Sequence, residues 1–195
     1  MIKVLTAFFL LVCTVGAYAE SPYVQVIDEE WRNHSGVVIK SGKIIKVLTC
    51  SHMVMLHGSK QINVKFYYGD TYISLPAKIK KIDHGKDLML LEVSNVANIK
   101  ITEVKVADSV ENINCIINGY VFKNKQIIYC VFDNSVVTTS QDGSEIYNFK
   151  GKGVSGMSGS AILSNNKIVA IQSAGSNRII GASFVVIKNF IGDKE

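Results

Sequence analysis

Three short segments hold side chains whose types and spacing could do acyl-transfer chemistry. The first is Val47-Leu48-Thr49-Cys50-Ser51-His52, where a hydrophobic strand ends and a histidine stands just past its tip. The second is Asp87-Leu88-Met89-Leu90-Leu91-Glu92-Val93, in which an acid directly precedes an apolar strand. Burying that strand draws Asp87 inward, and a buried carboxylate needs a donor or a positive partner. An imidazole Nδ1–H would satisfy it, and the carboxylate would in turn fix the ring's tautomer. The third is Gly153-Val154-Ser155-Gly156-Met157-Ser158-Gly159-Ser160. Gly156 and Gly159 let the backbone turn tightly around Ser158, so the N–H groups of Gly156 and Ser158 can point at one spot. Converging N–H groups of that kind stabilise the oxyanion of a tetrahedral intermediate. Singly, each segment has a plainer reading: a structural histidine, a solvated turn acid, a flexible Gly/Ser loop. In the order His, Asp, Ser they supply a base, its orienting group and a nucleophile. The loop is not a nucleophile elbow, because Ser160 stands where Gly-x-Ser-x-Gly requires glycine.

Such a site needs a rigid frame, and the rest of the chain reads as many short strands. Alternating or continuous apolar runs, rich in β-branched and aromatic residues, recur between Gly, Asn, Asp and Ser. In the first half they are Gly36–Lys40, Ile44–Leu48, Ile62–Tyr68, Ile73–Ile82 and Leu88–Val93. In the second they are Ile113–Phe122, Gln126–Phe132, Val136–Thr139, Ala161–Leu163, Ile168–Ser173 and Ala182–Ile187. Cys50–His57 and Lys188–Ile191 read as short helical pieces. Ser41-Gly42-Lys43 and Asn124-Lys125 are hairpin turns, and Asn165-Asn166 tolerates the left-handed conformation. Two sets of about six strands, divided near Asn95–Thr102, predict two small closed β-barrels or a β-sandwich. A turn at Asn124-Lys125 would put Cys115 and Cys130 about four residues out of register, beyond the usual reach of a disulfide.

With these residues in this order on an all-β background, the sequence resembles the trypsin-like (chymotrypsin-fold) serine peptidases. Leu48-Thr49-x-x-His52, Asp87-Leu-x-Leu-Leu and Gly156-x-Ser158-Gly159-Ser160 look like that family's His, Asp and Ser motifs. Spacings of 35 residues from His52 to Asp87 and 71 from Asp87 to Ser158 look like the compact Deg-type, glutamyl-endopeptidase-like and viral members. The resemblance implies an all-β fold of two six-stranded antiparallel β-barrels with the active site in the cleft between them. Residues 20–98 would form the N-terminal barrel with His52 and Asp87, and residues 99–195 the C-terminal barrel with Ser158. His52, Asp87 and Ser158 would be the catalytic residues of a serine endopeptidase acting on a polypeptide substrate. Gly156 and Ser158 would donate the oxyanion hole, and no cofactor is implied.

Further implications concern the substrate and the departures from the pattern. Gln172-Ser173-Ala174-Gly175 would pair with the substrate backbone, with Ser173 and Gly175 matching the family best. Lys152 would lie near the floor of the S1 pocket; pointing inward it would favour an acidic substrate side chain, and pointing outward it would be silent. Gly153 and Gly181 would leave room for that side chain. Met157 stands where zymogen-type members carry an acid, so activation by a newly freed N-terminus is not expected. Cys50 stands where small residues are usual and reads as packing behind His52. A metal centre from Cys50, His52 and His57 lacks a fourth ligand and tetrahedral spacing.

Composition narrows the remaining classes. The chain has 195 residues, 48% hydrophobic and 19% charged, which excludes a disordered chain. A formal charge of +5 is spread over scattered lysines, which leaves no stripe for nucleic acid. Lys3, the apolar run Val4–Val15 and Ala17-x-Ala19 form the pattern of a signal peptide over residues 1–19. The expected product is secreted or periplasmic, without stable membrane insertion. Of the 4 cysteines, Cys13 would leave with that leader, and the odd remainder excludes a disulfide-dense scaffold. Two other functions share these features: a catalytically silent binding module of the same fold, and a processing protease for one defined partner.

Overall fold

A computed structural model of the chain describes residues 21–192, apart from residues 31, 58–60, 122, 135–137 and 140–142. The leader expected over residues 1–19 lies outside the described residues. The first half holds β1 (Tyr23–Asp28), β2 (Asn33–Lys40), β3 (Ile44–Thr49), helix α1 (His52–His57), β4 (Ile62–Tyr68), β5 (Thr71–Asp83) and β6 (Leu88–Ser94). These six strands close into a barrel in the order β1-β2-β3-β6-β5-β4. The second half holds β7 (Asn114–Val121), β8 (Asn124–Phe132), β9 (Thr138–Thr139), β10 (Glu145–Lys150), β11 (Ala161–Ser164), β12 (Lys167–Gly175), β13 (Arg178–Ser183) and helix α2 (Phe184–Gly192). Here the order is β13-β12-β11-β7-β8-β10, closed by pairing of β10 with β13, and the short β9 adds to β10. The neighbouring strands within each barrel run antiparallel.

Alternating apolar residues fill the two barrels separately. Val24, Val26, Val47, Val64, Phe66 and Leu91 pack inside the first, and Ile117, Phe149, Met157, Ile162 and Val169 inside the second. A third cluster joins them: Val37, Leu48, Leu88 and Leu90 from the first barrel meet Leu163, Ile168, Ile171 and Phe190 from the second. Burial of each such side chain is worth about 1.5–3 kcal/mol, so this layer fixes one barrel against the other. The connecting segment stitches the same seam. Val104 N–H donates to Val38 C=O at 2.9 Å, and Ala107 N–H to Ile168 C=O at 2.8 Å.

Three sequence expectations change. Val121 pairs with Asn124 and Cys115 with Cys130, so Asn124-Lys125 lies within the ladder and is not the turn. The two cysteines therefore face one another across the hairpin, where they are buried free thiols. Asn124 opens a strand because the ladder continues to the tip of the hairpin. The run Ala182–Ile187 divides: Ala182 and Ser183 end β13, and Phe184 begins α2. Ser183 Oγ accepts from Val186 N–H at 3.4 Å, a weak cap. Val186, Ile187 and Phe190 then face the inter-barrel core, and this packing overrides their β propensity. Finally, β1 and β10 bury Gln25, Asp28 and Asn148 among apolar residues, which hides them from a search for apolar runs.

Candidate active site

The strand β3 delivers Thr49 to the seam, and the chain turns into α1 at once, so His52 stands at the first position of that helix. Asp87 stands at the mouth of β6 with φ 52°, a left-handed conformation that costs an ordinary residue about 1–3 kcal/mol. Hydrogen bonds hold it there. Its Oδ1 accepts from Ser51 N–H at 2.9 Å, Ser51 Oγ–H at 3.2 Å and His52 N–H at 2.8 Å. Its Oδ2 lies 2.8 Å from His52 Nδ1. A carboxylate can only accept, so Nδ1 carries the ring proton and Nε2 the lone pair. Burial alone would raise the Asp87 carboxyl, but the hydrogen bonds and charge of His52 and the N–H of Ser51 hold it below the ordinary range.

Ser158 comes from the loop between β10 and β11, and that loop is docked on the first barrel. Ser35 N–H donates to Ser158 C=O at 2.8 Å, and Gly159 N–H donates to Gln172 C=O at 2.8 Å. Gly159 has φ 84°, and a Cβ there would lie 2.2 Å from Ser35 C=O and 2.3 Å from Thr49 Oγ1. Only glycine admits that approach. Ser35 Oγ, from β2, reaches Tyr120 C=O at 3.2 Å and Gly156 C=O at 3.4 Å. Among the described residues, the N–H groups of Gly156 and Ser158 have no acceptor. The Ser158 hydroxyl donates to Ser173 C=O at 3.4 Å, a long contact, and makes no hydrogen bond to His52 among the described residues.

His52, Asp87 and Ser158 line one open cleft of about 620 Å³ together with Gly153, Gly156 and Gln172–Ser176. Ser173 and Gly175 are thus in the cleft. β12 pairs with β11 only as far as Ile171, so residues 173–175 carry no ladder to β11. Ser173 is the extra residue of a bulge between Gln172 and Ala174, which turns its carbonyl toward Ser158. Lys152 is exposed and does not line the cleft. Gly153 lines it, but its missing side chain admits Gly175 C=O, which would lie 2.5 Å from a Cβ. Gly181 instead lines a smaller cavity, about 140 Å³, behind Asp87.

Residues that the sequence did not single out complete the site. Ser51 contributes two of the donors on Asp87, and Ser35 ties the Ser158 loop to the first barrel. His34 packs edge-on against His52, ring centroids 5.5 Å apart, with Cys50 beneath both. Burial, with the neighbouring His52, holds His34 down to about 4, so it is a neutral imidazole near pH 7. Burial pushes the Cys50 thiol well up, which keeps it protonated. The one available signal was local: His34 and Ser35 lie on an apolar strand that pairs with the strand leading to His52. The side chain of His57 lies outside the described residues.

The profile of the trypsin-like peptidase domain matches residues 34–171. No curated protein matches the chain. Similar solved structures include the Rv3671c protease of M. tuberculosis in its active form, at 16% identity and TM-score 0.72, over 89% of this chain and 81% of that one. Deg5 is similar at 16% identity and TM-score 0.72, over 88% of each chain. The serine protease of a human pathogenic astrovirus is similar at 15% identity and TM-score 0.63, over 83% of this chain and 88% of that one. At such identities these likenesses concern the fold alone.

Proposed function

The chain belongs to the trypsin-like peptidase domain family, and from that premise we propose that it is a serine endopeptidase acting through His52, Asp87 and Ser158. The observation that carries the proposal is the convergence of these three side chains on one cleft, with the 2.8 Å Asp87–His52 contact already made. In the proposed reaction the Ser158 hydroxyl turns from Ser173 toward His52 Nε2. Its oxygen attacks the scissile carbonyl while Nε2 takes the proton. The tetrahedral oxyanion sits against the N–H groups of Gly156 and Ser158. The imidazolium, steadied by Asp87, then gives its proton to the leaving amine, and water repeats the cycle on the acyl-enzyme. The backbone of residues 173–175 would pair with the substrate strand. Apart from His52 and Asp87 the cleft lining is uncharged, which favours an uncharged substrate side chain beside Ser158. The leader pattern over residues 1–19 supports export before action.

The Ser158–Ser173 contact favours a second reading, a silent binding module. Labelling with a fluorescent fluorophosphonate separates the two. Labelling of the wild type, absent in Ser158→Ala, is the expected result. A folded wild type that takes no label would sink the peptidase reading and leave the module.

A further inference from the structure

The cluster beneath the catalytic histidine has donor chemistry that peptide hydrolysis does not use. Cys50 Sγ lies 3.7 Å from His34 Nδ1 and 3.8 Å from His52 Nε2, and the three atoms lie within 4.8 Å of one another. From this cluster we infer that His34 Nδ1, Cys50 Sγ and His52 Nε2 form a binding site for a zinc-type divalent cation, whose occupancy switches the peptidase site off.

The distances suit the ion. With metal–sulfur bonds of about 2.3 Å and metal–nitrogen bonds of about 2.0–2.1 Å, a tetrahedral site has S···N edges of about 3.5 Å. The two observed edges are within a few tenths of an ångström of that value. Two imidazoles and one thiolate are a borderline-soft set that suits zinc better than magnesium or calcium. Three protein ligands leave the fourth position to water, on the side where His52 borders the cleft. The outer shell is also present: a metal-bound histidine usually gives its other N–H to a carboxylate, and His52 Nδ1 already faces Asp87 Oδ2 at 2.8 Å. Without an ion, Cys50 has a single weak S–H to share between two ring nitrogens. On binding, the sulfur–metal bond forms as that proton passes to solvent.

The ion and the Ser158 proton compete for one lone pair, that of His52 Nε2. An occupied site therefore has no general base. The binding half of this inference stands on the donor atoms alone, and the inhibitory half rests on the proposed peptidase reading. The sequence pointed away from it because His57, the histidine near Cys50 in sequence, offered no tetrahedral set, whereas strand pairing brings in His34.

Cobalt(II) and zinc(II) titrations of the purified protein test both halves. Cobalt should give a thiolate-to-metal charge-transfer band at one ion per chain, displaced by zinc. Cys50→Ala should abolish the band. His34→Gln, a second variant with the thiol intact, should weaken binding by at least the roughly 10–100-fold that loss of an outer-shell partner costs. Zinc should block fluorophosphonate labelling of Ser158 in the wild type and not in Cys50→Ala. No charge-transfer band in the wild type, or a band that persists in Cys50→Ala, would overturn the site. A band with the expected variant behaviour, together with labelling that zinc does not block, would overturn the inhibitory half. Failure of the peptidase reading shows separately, as absence of labelling without any metal, and leaves the cobalt spectrum to decide the site.

Discussion

On the first barrel the Asp87 carboxylate takes hydrogen bonds from Ser51 N–H, Ser51 Oγ–H, His52 N–H and His52 Nδ1, all between 2.8 and 3.2 Å. On the second barrel the Ser158 hydroxyl makes one contact among the described residues, at 3.4 Å, and its loop is positioned through its backbone by Ser35 of the other barrel and Gln172 of its own. The His52–Asp87 half of the site is thus built within one barrel, where it also offsets the left-handed backbone of Asp87. The Ser158 half is held from both barrels, at the place where they meet. Damage to the first half should therefore stop chemistry and leave the fold, whereas damage to the second should cost stability and chemistry together.

The largest expected effect tests the first clause. Asp87→Asn keeps a side chain that tolerates positive φ, but its amide presents donors toward the His52 ring and disfavours the tautomer with the proton on Nδ1. On the proposed mechanism kcat should fall on the order of 10⁴, with near-ultraviolet circular dichroism unchanged. A fall of less than tenfold would mean that Asp87 does not orient His52. Gly159→Ala tests the second clause. Its Cβ would meet Ser35 C=O at 2.2 Å in a backbone with φ 84°, so the loop must lift from the first barrel. We expect a loss of about 4 kcal/mol in urea unfolding, together with loss of Ser158 labelling. A variant of wild-type stability would show that the loop is not docked as described.

The difference between the halves also explains what was legible in the sequence. His52, Asp87 and Ser158 are each marked by the strand or turn beside them, so local reading picks them out as candidates, and the structure places all three on one cleft. Ser51 and Ser35 are marked only by what they touch: Ser51 looks like filler between Cys50 and His52, and Ser35 owes its role to contacts with residues 120, 156 and 158. The barrels were legible through their apolar runs. β1 and β10 were not, because buried Gln25 and Asn148 interrupt them, and Gln25 is satisfied by Asn33 at 2.8 Å and Tyr67 at 2.7 Å. The β7–β8 register was lost by placing a turn on Asn124 for its composition, when the pairing of Val121 with Asn124 keeps it in the strand.

That corrected register gives a pH test in which the halves respond at opposite ends of the scale. The Asp87 carboxyl is held low in the fold, so its contribution is present above the unfolded carboxyl value and is lost as pH falls through the folded one. Cys115 and Cys130 behave in reverse. Burial pushes Cys115 up to about 11, and burial with the neighbouring Cys115 pushes Cys130 up to about 12, from 9.0. Their contribution is present below pH 9.0 and declines as pH rises toward 11. Urea unfolding of the wild type and of Cys115→Ala between pH 8 and 11 should show a steeper alkaline loss in the wild type. Parallel curves would mean that the thiol is not buried as a neutral group.

The smallest effect is the sharpest test, because it touches neither Ser158 nor His52. Ser35 is fully buried in β2, and its Oγ accepts from Tyr120 N–H at 2.8 Å while reaching the carbonyls of Tyr120 and Gly156. Ser35→Ala leaves its own N–H on Ser158 C=O but removes the Oγ that accepts from Tyr120 N–H. Removing one partner of a buried hydrogen bond costs about 1–3 kcal/mol, so the unfolding free energy measured in urea should fall by about that amount. Freed from Oγ, the Gly156 peptide is less constrained, and its N–H is one of the two proposed oxyanion donors. Fluorophosphonate labelling should therefore slow, while the imidazole proton shared by His52 and Asp87 keeps its downfield NMR position. Slower labelling with that resonance unmoved would separate the halves as argued. A shift of the resonance would mean that the base and the nucleophile are one unit, with Ser35 linking them through β2 and the strand that carries His52.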